Sequence, residues 1–229
     1  IAGDVIFADA MNITGGDATA EESILTLAAN ATVTDGITLT QGAGNAKIIS
    51  NNDATITADI TNAGAAAGSS IIAVSGSSKT TNFLGNVGAT GVGTIDLVSV
   101  DTASAVFKNN VFATTLSIAN AAGDATFSGT TAQTLTGAIT ATNGQGTLAI
   151  NNATGVTVTG AVGVTGARLL EVEIADGSIA TFGGAIAALT LDIKSNAEAE
   201  YVQVTTDNLI GTSGATTGAL TFVTGSVIR

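Results

Sequence analysis

Asn82-Phe83-Leu84-Gly85-Asn86-Val87 is the phrase on which the reading turns. It returns as Phe107-Lys108-Asn109-Asn110-Val111, as Phe127-Ser128-Gly129, as Val158-Thr159-Gly160-Ala161-Val162 and as Phe182-Gly183-Gly184-Ala185-Ile186. A shifted copy, Phe222-Val223-Thr224-Gly225-Ser226-Val227, closes the series. The first five anchors stand 24, 20, 31 and 24 residues apart. A hydrophobe followed by Gly or Asn at such intervals marks a chain that winds in coils, each coil burying its apolar side against the next.

Between the anchors the period is two. Ile37-Thr38-Leu39-Thr40, Ala54-Thr55-Ile56-Thr57, Val156-Thr157-Val158-Thr159 and Leu170-Glu171-Val172-Glu173-Ile174 alternate inward and outward residues and stop at Gly, Asn or Asp. These are short, half-buried strands, and Thr suits their outer side because β-branching favours extended backbone. Helical signals are few. Residues 17–27 could open with one helical turn behind Asp17, and at most two short helices are expected.

Together these features predict an all-β fold, a right-handed parallel β-helix of roughly ten coils spanning residues 1–229 as one segment. The alternative is another all-β surface domain such as a β-sandwich. A sandwich would carry longer strands and larger aromatic core residues, whereas this chain has seven Phe, one Tyr and no Trp. In stacked coils Phe83, Phe107, Phe127 and Phe182 would form an aromatic ladder. The pairs Asn51-Asn52, Asn109-Asn110 and Asn151-Asn152 would form Asn ladders at the turns.

Composition narrows the function. The chain has no Cys, His or Pro, which removes zinc fingers, haem ligation, thiol catalysis and a His general base. Six basic against 18 acidic residues give a net charge of −12. That is no footprint for nucleic acid, and an anionic membrane would repel it. Val, Ile, Leu and Phe make up 60 of the 229 residues, enough for a core rather than a disordered tract. No apolar run is long enough to span a bilayer as a helix. The chain begins with Ile1, has no signal-peptide pattern, and is expected to be a piece of a longer surface protein.

Carboxylates are the reactive groups in supply. Glu171 and Glu173 share the outer face of one strand, and Glu198 and Glu200 repeat the arrangement 27 residues on. Were that offset one coil, four carboxylates would stack and call for a cation such as Ca²⁺; the competing reading is a solvated acidic face. Lys79, Lys108 and Lys194 read as isolated surface residues. The stretches that break the rhythm, 41–45, 63–70 and 211–218, are candidate contact loops, or plain insertions between coils.

The phrases Asn82-Phe83-Leu84-Gly85-Asn86-Val87 and Thr181-Phe182-Gly183-Gly184-Ala185-Ile186 resemble the passenger region of rickettsia-type outer-membrane autotransporters, the surface cell antigens; Thr/Asn/Gly/Ala-rich S-layer proteins are nearly as similar. The resemblance implies a non-catalytic, extracellular β-helix at a bacterial outer membrane. It would hold loops toward a host-cell receptor or neighbouring copies of itself. The autotransporter's own C-terminal barrel has no counterpart in these residues. A lattice or filament subunit assembling with Ca²⁺ is the second expectation, and a polysaccharide-active β-helix enzyme the third.

Overall fold

The computed structural model describes residues 6–7, 9–64, 68–194, 197–201, 219–222 and 227–228. Every ladder between successive strands is parallel, and the strands stack as a β-solenoid of about eight turns. The first face is a ten-stranded sheet. Its strands are Ile6–Phe7, Ala31–Val33, Ala54–Ile56, Thr80–Phe83, Ser104–Phe107, Asp124–Phe127, Gln145–Ile150, Leu169–Ile174, Ala188–Ile193 and Ala219–Phe222. The second face runs through Glu22–Leu27, Asn45–Ser50, Ser70–Val74, Ile95–Val100, Val111–Ile118 and Gln133–Ala141. It continues into Val156–Val158, Ile179–Phe182, Glu198–Tyr201 and Val227–Ile228. A third face begins as Met11–Thr14, Ile37–Thr40 and Ile60–Asn62, and its line passes through bridges from Ile60 to Val87 and on to Val111. The short end strands complete sheets rather than turns, hence about eight turns against the roughly ten expected.

Period two decides this arrangement. In strand after strand the alternate aliphatic residues are buried and the Thr, Asn and Ser between them face out. The inward residues of one rung sit on those of the next. On the first face the column reads Val33, Ile56, Phe83, Phe107, Phe127, Ile150, Ile174, Ile193. All are within 1% of complete burial. A core of short aliphatics in continuous columns gives close packing without large side chains.

Three of the four expected Phe stack. Phe83 and Phe107 have ring centroids 5.0 Å apart, and Phe107 and Phe127 5.1 Å, with interplanar angles of 14° and 26°. Phe182 stands elsewhere, on the second face in register with Val158 and Tyr201. The 31-residue gap between Phe127 and Val158 is where the phrase changes faces. The rung partner of Phe127 is Ile150, and Val158 pairs with Leu135.

The anticipated helical turn behind Asp17 gives way to the strand Glu22–Leu27, whose inner Leu25 and Leu27 pack on the core. Among the described residues the only helical piece is a 3₁₀ turn at Gly91–Gly93.

Candidate functional site

The structure divides the predicted carboxylate quartet. Glu171 and Glu173 lie on the outer side of the first face, in register with Thr190 and Asp192. Glu198 and Glu200 belong to the second face, opposite Ile179 and Thr181. The 27-residue offset is therefore not one coil. The next rung after Ile174 is Ile193, 19 positions on. What the rung brings beside the first pair is Asp192, and Glu171, Glu173 and Asp192 each offer an oxygen within 4.8 Å of the others.

This cluster has its own cation. The Lys194 ammonium lies 3.8 Å from Glu173 Oε2 and hydrogen-bonds Asp192 Oδ2. That bond, ahead of its other surroundings, holds the Lys194 pKa above its usual value. Burial, and then the charges of Glu173 and Asp192, raise the Glu171 pKa. Asp124, two rungs away in the same outer column, is raised by burial, with a smaller contribution from Glu173. Asp192 Oδ1 is buried without a hydrogen-bond partner. Oxygen donors of this kind suit a hard cation such as Ca²⁺, and Glu171, Glu173 and Asp192 are the residues that would hold it. The ammonium competes for the same oxygens.

The other two lysines singled out as isolated are also engaged across rungs. Lys79 pairs with Asp53 at 3.0 Å, and Lys108 donates to the Ser128 carbonyl and hydroxyl at 3.1 and 2.9 Å. The Thr80 amide, then Lys79, lowers the Asp53 pKa. Beside this pair an open groove of about 350 Å³ is lined by Asn30, Thr32, Asp53, Thr55, Thr80 and Asn82. Its lining is hydroxyl, amide and carboxylate, suited to hydrogen bonds and not to burying an apolar ligand.

Polar residues at the corners tie one rung to the next. Asp59 Oδ1 accepts the Asn86 amide at 2.6 Å, Asn86 Oδ1 the Asn110 amide at 3.3 Å, and Asn110 Oδ1 the Thr134 amide at 2.8 Å. Asn110 thus joins a ladder, but with Asp59 and Asn86 rather than with the other Asn pairs. Asn51 and Asn52 bond each other. Asn152 turns inward, where its Nδ2 donates to Gln133 Oε1 and the Thr131 carbonyl, both at 2.8 Å. Gln133 Nε2 in turn reaches the Phe107 and Asn109 carbonyls. Both side chains are nearly fully buried and fully bonded, as burial of an amide requires.

Of the rhythm-breaking stretches, 41–45 is a tight corner. The Gly44 amide bonds the Gly16 carbonyl at 2.9 Å, and Gln41 is buried against Asp96. The next stretch stacks on it, with the Gly68 amide on the Gly42 carbonyl at 3.1 Å; residues 65–67 and 211–218 lie outside the described residues. A loop the sequence reading missed follows on the next rung at the same corner, residues 88–94. Its 3₁₀ turn carries Val92, 74% exposed, and Asn62 Nδ2 anchors it through the Thr94 carbonyl at 3.0 Å. The signal was Gly88, Gly91 and Gly93 bracketing a lone Val92.

The chain matches no protein-family model, no curated protein and no solved structure.

Proposed function

We propose that this protein is the shaft of a bacterial cell-surface protein, structural and adhesive rather than catalytic, working outside the cell at the outer membrane. The observation that supports this best is the continuous column of buried aliphatic and Phe side chains. It makes each rung a rigid platform for the next. A rod of this kind holds loops at a fixed distance and orientation. The loop at 88–94, with Val92 outermost, is the surface such a rod would present to a host-cell receptor.

Tomography of the source envelope, with an antibody to this chain marking its position, tests the proposal. Label on isolated projections or an irregular fringe supports it; label confined to the cell interior overturns it. In binding assays on host cells, Val92→Asp should weaken attachment without changing the melting temperature.

A second reading, a lattice subunit assembled with Ca²⁺, draws on the Glu171, Glu173, Asp192 cluster. Melting with Ca²⁺ and with chelator decides it. An unchanged transition counts against a structural ion, because a ligand bound only by the folded state must raise its stability.

A further inference from the structure

The two outer surfaces of the solenoid differ in a way the fold does not require. Over the first rungs the outside of the first face is Thr32, Thr55, Thr80 and Asn82. The outside of the second face over the same rungs carries more large aliphatic side chains. One outward column reads Ile24, Lys47, Ile71, Leu97, Thr115, Ala138. Beside it runs Thr26, Ile49, Ala73, Ser99. Ile24 is 48% exposed, and Ile49, Ile71 and Leu97 are half-buried. Inward residues complete the core without them. Ile24, Ile49, Ile71 and Leu97 thus face out together around Lys47, an aliphatic cluster of the kind that a partner covers.

The cluster is also electrically quiet in a chain of net charge −12. Of the two carboxylates on the strands that carry it, Glu22 is met by Lys47 at 3.6 Å and by Asn45 Nδ2 at 3.2 Å. Asp96 accepts the Ser70 amide and hydroxyl at 2.8 Å each. The first face, by contrast, gathers Asp124, Glu171, Glu173 and Asp192 around one lysine.

We propose that the outer side of the second face, from Glu22–Leu27 to Gln133–Ala141, is the docking surface for a second copy of this chain, packed sheet against sheet. The occupant follows from the period and the charge. Outward side chains repeat about every 4.8 Å along the rod, so the surface that interdigitates with them in register has the same repeat. Two chains this acidic approach most readily where their carboxylates are few and already paired or hydrogen-bonded, as Glu22 and Asp96 are here. Taking about six residues on each of the six strands gives a patch of about 570 Å² per copy, so the pair buries about 1,100 Å². That is the low end for specific association and implies a reversible dimer. A pair joined on one face is closed, unlike a lattice that grows from the solenoid ends. The proposal stands apart from the shaft reading, since it holds wherever the chain works.

Sedimentation velocity on the whole chain, from about 1 to 200 μM, tests it. The mass should rise from 22.1 kDa toward twice that value and stop there. The double variant Ile71→Thr/Leu97→Thr keeps β-branched or outward-tolerant residues, should melt as the parent does, and should lose association at least tenfold. Ala73→Lys places a charge in the neighbouring column and should do the same if the Thr pair fails to fold. A monomer throughout, assembly past the dimer, or a dimer indifferent to these variants overturns the proposal.

Discussion

One corner of the rod, between the third row and the second face, is built in two ways. In the early turns the chain leaves the third face, loops out and returns, as in residues 88–94. In the later turns the loop is gone. Val111–Ile118 and Gln133–Ala141 run straight through the corner as single strands, with a register shift after Phe112. Glycine permits the second design. A Cβ on Gly137 would overlap the Ala113 carbonyl oxygen, and one on Gly160 the Gly137 carbonyl oxygen. Gly137 also has a φ of +83°, which side-chain residues adopt only with strain. The difference teaches that loops here are optional additions to a rung: a loop tip such as Gly91 has open space, whereas a glycine where one corner stacks on the next, Gly137 here or Gly44 and Gly68 in the early turns, has none.

The largest effect should fall inside the later design, on the column that both regions share. Phe107 has a stacked ring on each side. Phe107→Ala should cost about 3–5 kcal/mol in a denaturant titration, and Phe107→Leu about 1 kcal/mol. Equal losses would mean that the column tolerates cavities and is not close-packed.

Next comes the corner itself. Gly137→Ala should destabilise by about 2–4 kcal/mol, since it combines overlap with backbone strain. Gly91→Ala, in the looped design, has a φ of +71° but open space around it. It should cost only about 1 kcal/mol. If thermal melts give the two substitutions the same cost, the distinction between corners is broken.

How much of this was legible beforehand depended on what the period could encode. Alternation fixes which side of a strand is buried, so the parallel solenoid and the Phe83, Phe107, Phe127 stack followed from it. It does not fix which face a strand belongs to. Rungs here run from 19 residues, Ile174 to Ile193, to 29, Ile193 to Phe222. An offset of 27 therefore cannot separate one rung from a rung plus a face. That is why the sequence alone sets Glu198 and Glu200 beside Glu171 and Glu173, and Phe182 above Phe127. Asp192 could have been found by laying Thr190-Leu191-Asp192-Ile193 on Glu171-Val172-Glu173-Ile174, where the aliphatic residues coincide. The inward turn of Asn152 had no such signal, because an Asn at a strand end reads the same whether it caps a turn or fills a buried site.

That buried amide pair sharpens the comparison from the polar side. Gln133 closes the 128–132 loop by accepting the Gly129 amide at 2.8 Å and bonding two carbonyls. Gln133→Leu should cost about 1–3 kcal/mol, because Asn152 Nδ2 and the Gly129 amide lose a buried partner. Asn51→Ala, at an exposed turn of the early region, should be nearly silent.

The smallest effect is electrostatic and belongs to the later turns alone. Asp124 and Glu171 have pKa values raised by burial. A carboxyl with a raised folded pKa takes up its proton in the folded state first, so stability grows as pH falls through the window between folded and unfolded values. Asp53, in the early turns, is lowered by the Thr80 amide and Lys79 and has the opposite sign. Its contribution is lost only below the ordinary carboxylate range. As the pH falls from neutral toward the ordinary carboxylate range, then, the later turns gain stability and the early turns do not, and the melting temperature should rise slightly. Asp124→Asn with Glu171→Gln should flatten that rise, and Asp53→Asn should leave its slope unchanged. A melting temperature that falls over this interval in the parent protein would mean that the acidic column is held by a cation stronger than Lys194, since protonation would then release a ligand rather than relieve repulsion.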